Sequence, residues 1–396
     1  MAVAKRVYQN IGVKLVFLFF LVFPFGQLIY LKVYILDRLI TIRPIYVIAL
    51  FSTLLFILCK ARKPQIAKTF SGFLVVSVFS TILSFYFFPI RQVLVNSLYL
   101  LRLFSYFSFF VLIWNLISGK KIAKEPLYLS LISVSAFTSI FAWIQYFWIP
   151  DLTSLKYIGW DDHLGRLIGT FLDPGFTGIV LTLGFLLAAT LYFEKKNNFL
   201  IVLAVFFLVS ILFTYSRASY IAVFAGGAAL LFFLKSKVLI TLIFLLFVIS
   251  LPFLPRTKGE GVRLERTQSV YARLSNYRQT VSIFKNSPLF GVGFSNVCIA
   301  RISLFGGQSS SHSCSGSDSS LLFVLATSGV IGLITFLFLT LRILTSVKKD
   351  LYGISFVISS TTLFVHSLFV DSLFYPWVMG WMAILLATAV KEYKTR

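Results

Sequence analysis

Six arginines stand where an apolar chain has little reason to hold them. Arg102 lies eleven residues past Arg91 inside a hydrophobic run. At 1.5 Å per residue that is roughly 16 Å of helix, near the middle of a bilayer. A charge at that depth is costly and faces a bundle interior or a cavity. Two readings of Arg102 stand: a structural partner for carbonyls or a carboxylate, or a cationic site for an anionic ligand. Arg217 sits in Phe213-Thr-Tyr-Ser-Arg-Ala-Ser-Tyr220. A lone interfacial arginine usually snorkels and anchors. Here small and hydroxyl neighbours leave room for a ligand, and the guanidinium fork suits phosphate oxygens. Arg166 precedes Gly169-Thr-Phe-Leu-Asp-Pro174, with Asp161, Asp162 and Asp173 as alternative salt-bridge partners. Arg273 and Arg278 interleave with apolar residues between Gly261 and Lys285, as in a surface-lying amphipathic helix or a solvated basic face. With Arg91 they form a set of five at one level, with Arg102 beneath. Such a set suits a phosphate or pyrophosphate and would stabilise charge on it as it leaves.

A base is the second requirement. Asp318 is the first candidate and His312 the second, because a carboxylate or imidazole within reach of a hydroxyl can take its proton. Asp318 equally fits an ordinary helix N-cap. His163 reads equally well as a loop residue. His366, Asp371 and Asp173 either line the same cavity or pack in the bundle. No His, Cys and Asp cluster has metal-ligand spacing, so a metal-independent route without cofactor is expected.

The elements that must position these groups are membrane spans. The chain is 58% hydrophobic and 12% charged, where a soluble domain carries about 25% charged residues. It cannot cover a water-facing surface of its own, so an all-α polytopic membrane protein is expected. Twelve spans are predicted, at about 12–33, 41–59, 70–89, 94–117, 127–149, 174–193, 198–214, 218–234, 238–254, 320–342, 352–369 and 373–390. With both termini in the cytoplasm, 20 of the 36 Lys and Arg fall in inside segments, as the positive-inside rule requires. The first outside link, with Lys32, Arg38 and Arg43 around it, fits less cleanly. Most of the +23 net charge is thus expected to be topology, and it does not imply nucleic acid.

The organisation that follows is spans 1–9 over residues 1–254, a large outer loop over 255–319, and spans 10–12 over 320–396. The loop opens with the basic helix, turns at Pro288-Leu-Phe-Gly-Val-Gly-Phe294, and ends in a Gly/Ser-rich lid from Gly306 to Ser320. Cys298 and Cys314 either pair, in an oxidising compartment, or remain two free thiols. No Gly-rich nucleotide loop with Lys and Ser/Thr is present, so the substrate must arrive already activated.

These residues resemble the O-antigen ligase and O-antigen polymerase family of bacterial membrane glycosyltransferases. Four pieces in order carry the resemblance: Arg166 ahead of Gly169-Thr-Phe-Leu-Asp-Pro174; Ser216-Arg217; Arg273 or Arg278 ahead of Pro288-Leu-Phe-Gly-Val-Gly293; and Asp318-Ser-Ser-Leu ahead of Gly329-Val-Ile-Gly332. The resemblance implies glycosyl transfer from undecaprenyl pyrophosphate at the periplasmic face of the cell inner membrane. It implies Arg217 as a catalytic guanidinium and the other arginines as pyrophosphate ligands. The ligase pattern has a His-Asn pair where this chain has Asp318-Ser319. That departure favours a polysaccharide repeat-unit polymerase, for O-antigen, capsule or exopolysaccharide, over a ligase acting on lipid A-core. The expected partners are the lipid-linked oligosaccharide, an acceptor glycan, membrane lipids, and a chain-length regulator or flippase of the same pathway. A transporter of lipid-linked oligosaccharide is a further alternative, although the two halves do not match as inverted repeats do.

Overall fold

The computed structural model describes residues 2–36, 38–59, 61–233, 237–255, 259–306, 314 and 316–391. It is an all-α fold with one small hairpin, consistent with a multi-span membrane protein. Helix α1 (Ala2–Val22) is followed by strands β1 (Leu31–Ile35) and β2 (Arg38–Ile42), then α2 (Pro44–Leu58), α3 (Ile66–Ser84), α4 (Ile90–Ser118) and α5 (Lys124–Trp148). After a long link come α6 (Pro174–Lys195), α7 (Asn198–Phe213), α8 (Arg217–Phe233) and α9 (Lys237–Ser250). The polar part holds α10 (Gln268–Asn286) and α11 (Val297–Phe305). The chain closes with α12 (Ser320–Ser346), α13 (Leu351–His366) and α14 (Pro376–Ala389). Six of these are long and apolar enough to cross a membrane: α1, α3, α4, α5, α6 and α12. Six more apolar helices are shorter. Helices satisfy their own backbone groups, which is what a lipid environment demands.

Proline sets several starts. Pro44, Pro174 and Pro376 open α2, α6 and α14, where the missing N–H costs nothing. α6 lies at the centre, buried between α5, α7, α8 and α13. Small residues allow that closeness: a Cβ on Gly178 would stand 2.1 Å from Ser219 Oγ of α8.

Two expectations change. The first span does not run to residue 33. It stops at Val22, because Pro24 and Gly26 (φ 53°) turn the chain and the following β-branched stretch pairs as an antiparallel hairpin, Leu31 opposite Ile42. Lys32, Arg38 and Arg43 therefore share the one link between α1 and α2. The second change is a break in α12. Gly329 has φ 65° and ψ −167°, and the loop Pro288–Gly293 is spliced into the gap. Val330 N–H donates to Pro288 O at 2.9 Å, while Val292 and Gly293 N–H donate to Ala326 O and Thr327 O at 2.9 and 3.0 Å. The backbone groups freed by the break are thus satisfied by protein. A Cβ on Gly329 would lie 2.2 Å from Leu289 O, so glycine is required there. The splice fixes α10 and α11 against α12, and with them the segment that carries Asp318.

Candidate active site

A cavity of about 300 Å³ lies where the long α5–α6 link, the α13–α14 link, the hairpin link and the start of α12 meet. Its charged lining is Arg43, Arg102, Asp161, Asp173, Asp318 and Asp371. Of the residues expected at the site, Arg102, Asp173, Asp318 and Asp371 are brought together here.

Each is held by a local reason. Tyr99 and Arg102 are neighbours on one face of α4, and the guanidinium lies over the Tyr99 ring at 4.3 Å and the Tyr46 ring at 5.6 Å. Asp173 is the N-cap of α6 and accepts from Phe176 N–H at 2.8 Å. Phe176 stacks on Tyr375 at 3.7 Å, which closes that wall. Asp371 accepts from Ser320 Oγ at 2.8 Å, and Ser320 N–H donates to Ser367 O, tying the start of α12 to the α13–α14 link. Burial pushes the Asp371 carboxyl up to about 7. Burial also raises Asp173, and the Phe176 N–H offsets part of that.

Asp318 is not a helix cap. Ser319 occupies the N-cap of α12 and makes no side-chain cap bond. The Asp318 backbone is fastened from two sides. From α10, Asn276 Oδ1 accepts from Asp318 N–H at 3.0 Å, and Tyr277 OH, which donates to Leu368 O at 2.7 Å, lies 3.4 Å from Asp318 O. From α11, a Cys298–Cys314 disulfide and Arg301, which donates to Cys314 O and Gly316 O at 2.9 and 3.1 Å, hold the preceding residues. Asp318 lines the cavity. Burial raises its carboxyl, while Arg273 and Arg301 pull it back down.

The other arginines are placed elsewhere. Arg166, 7% exposed, donates from Nε to Thr214 O at 3.0 Å and from Nη2 to Tyr215 O at 3.2 Å. Arg217 donates to Leu264 O, Arg266 O and Ser269 Oγ at 3.2, 3.1 and 2.6 Å. Arg266 donates to Gly261 O, Arg263 O and Tyr215 O. These three form a knot that pins the chain before α10 onto the α7–α8 turn. Crowding the guanidinium groups has an electrostatic cost: burial, then Arg266, lowers Arg166 to about 9. The same surroundings hold buried His163 neutral, lowered to about 3 by burial first and then by Arg166 and Arg266. Arg273 lies on α10 within electrostatic reach of Asp318. Arg91 and Arg278 are exposed and do not line the cavity. His366 is buried behind the cavity, its Nδ1 3.1 Å from Ser372 Oγ. His312 lies outside the described residues.

The sequence reading passed over Gln27, Arg43, Tyr46 and Ser295 as site residues, though all four line the cavity. Among the described residues no group of three His, Cys, Asp or Glu is arranged to hold a metal ion. Chemically, the arrangement offers guanidinium groups for an anion, carboxylates for proton transfer and aromatic faces for a sugar ring.

No curated protein matches the chain. Residues 202–337, which run from α7 into α12 and include Asp318 and the splice at Gly329, match the family model described as O-antigen ligase, and over that third of its length the chain is similar to this family.

Proposed function

We propose that this protein is a membrane glycosyltransferase of the O-antigen polymerase and ligase type, working as a polysaccharide repeat-unit polymerase. The observation that carries the reading is one cavity lined by Arg43, Arg102, Asp318 and Asp371, with Asp318 inside the stretch similar to O-antigen ligases. In this reading twelve spans place both termini in the cytoplasm of a bacterium and the cavity at the periplasmic face of its inner membrane. The donor is an oligosaccharide on undecaprenyl pyrophosphate, and the acceptor is a sugar hydroxyl of a second lipid-linked unit.

The acceptor oxygen forms a bond to the anomeric carbon, and the bond from that carbon to the phosphate oxygen breaks. The electron pair leaves with undecaprenyl pyrophosphate, whose charge the guanidinium groups stabilise. Asp318 takes the acceptor proton; its burial raises its basicity toward working pH. His312 is the second candidate for that role, and Arg217 acts at the leaving group if the knot opens to substrate.

The ligase is the second reading, favoured by the description of the matching family model. Asp318-Ser319, where the ligase pattern has His-Asn, favours the polymerase. Purified protein given lipid-linked repeat units and no other acceptor tests this. A ladder of longer glycans is expected. Product formed only after lipid A-core is added makes the protein a ligase, and movement across a vesicle without product makes it a transporter.

A further inference from the structure

We infer that Arg43 and Arg102, joined by Tyr46, are the clamp for the diphosphate head of a lipid ligand, and that its hydrocarbon chain runs into an apolar cavity below. The inference rests on the proposed lipid-linked donor, but it assigns the head to residues that no motif marks.

Three observations carry it. First, both guanidinium groups lie over one ring, that of Tyr46, at 5.8 and 5.6 Å, and both line the cavity. Two cations set on one ring make a positive site that an anion relieves. Second, these arginines are under-used. Arg43 donates to Tyr46 OH at 3.1 Å, and its buried Nε has no partner. Arg102 makes one long contact, 3.5 Å, to Phe374 O. Among the described residues neither has an ion pair. The cavity acids act elsewhere: Asp173 caps α6, Asp371 is held by Ser320, Asp318 feels Arg273 and Arg301, and Asp161 acts on Arg166. Asp371 feels the Arg102 charge, but its carboxylate is bonded by Ser320 and forms no ion pair with that guanidinium. Arg166, Arg217 and Arg266, by contrast, have spent donors on carbonyls. Third, Leu103 and Met379 line both this cavity and a second one of about 260 Å³. The second cavity is walled almost wholly by apolar side chains, such as Phe70, Phe107, Phe336 and Phe364, from α3, α4, α12 and α13. Phe364 and Leu337, which line it, are 41% and 45% exposed, so the cavity opens at the surface of the bundle. A charged clamp above an open apolar trough fits an amphiphile with a phosphorylated head and a long aliphatic tail.

The test is binding to the full-length protein in nanodiscs, with undecaprenyl pyrophosphate, inorganic pyrophosphate and undecaprenol as probes. Undecaprenyl pyrophosphate should bind tightest. Inorganic pyrophosphate should compete weakly for the same site, because it lacks the tail. Undecaprenol should bind weakly, because it lacks the head. Arg43→Gln and Arg102→Gln should each weaken undecaprenyl pyrophosphate about tenfold to a hundredfold, as loss of charge-assisted contacts does. Arg102→Lys should recover part of the loss, and Lys32→Gln in the hairpin should change nothing. Thermal midpoints are read alongside, so that a fold defect shows itself. Equal affinity in wild type and both Gln variants overturns the clamp. So does loss of binding in Arg166→Gln with an unchanged midpoint and full binding in Arg43→Gln. Equal competition by phosphatidylglycerol vesicles overturns the assignment to a diphosphate in favour of any anionic headgroup. If the variants lose binding as expected but the wild type forms no glycan product from any acceptor, the clamp stands and the enzyme reading fails.

Discussion

Two groups of arginines sit at the same end of the bundle and are used in opposite ways. Arg166, Arg217 and Arg266 direct their N–H groups to backbone carbonyls around the α7–α8 turn. Arg43 and Arg102 rest on tyrosine rings in a cavity, with one polar contact each. The first arrangement satisfies buried carbonyls and fixes the segment before α10. The second leaves donors for something else. Residue type is alike in the two groups. What separates scaffold from site is whether the donors are already occupied.

That contrast breaks most sharply at Arg166. Arg166→Gln removes two charge-assisted bonds and leaves Thr214 O and Tyr215 O short of donors. A loss of about 3–5 kcal/mol is expected. The thermal midpoint and the amount of protein in the membrane should both fall, and activity should fall with them. A variant of normal stability and no activity would move Arg166 from the scaffold to the site.

Asp318→Asn should do the reverse. Asn276 binds the Asp318 backbone, so the segment stays in place. Removing a general base costs about a hundredfold to ten-thousandfold in rate. Turnover should drop by that order with the midpoint nearly unchanged. A mild loss equal to that of Asp318→Ser would leave Asp318 a structural residue and pass the proton to another group.

The paired change Cys298→Ser with Cys314→Ser sharpens the comparison at a third place. A loop of about fifteen residues is worth at most about 3 kcal/mol by chain entropy. Arg301 still grips Cys314 O and Gly316 O, so a smaller loss is expected. KM and turnover should both worsen several-fold, because Asp318 loses one of its two anchors. Unchanged kinetics would show that α10 alone positions it.

The sequence exposed some of this and hid the rest for physical reasons. Arg102 was visible because a charge inside an apolar run has few explanations. Arg43 was not, because its meaning depends on where the first span ends. Apolar composition cannot tell a span from the hairpin at Leu31–Ile42. The knot was hidden too: arginine types can be read off, but backbone carbonyl partners leave no mark in sequence. The four motifs signalled a shared purpose, yet two of them, Pro288–Gly293 and Gly329–Gly332, turn out to be halves of one splice. A glycine that permits φ 65° and a glycine in an ordinary helix are the same letter.

The last expected effect lies at Asp371 and bears on the cavity side alone. Its carboxyl is raised by burial from 3.8 to about 7. The folded state therefore holds a proton that the unfolded chain releases earlier. Its contribution to stability is complete below pH about 4, declines as pH rises, and is lost by pH about 7, above which the slope ends. The thermal midpoint of wild type should fall over that window, and Asp371→Asn, which stays neutral and can still accept from Ser320 Oγ, should flatten it. Arg102→Gln should push the Asp371 transition higher, because the guanidinium now lowers it. Arg166→Gln should leave the transition where it is. A shift with Arg166 and none with Arg102 would merge the two arginine groups into one electrostatic unit and remove the distinction between them.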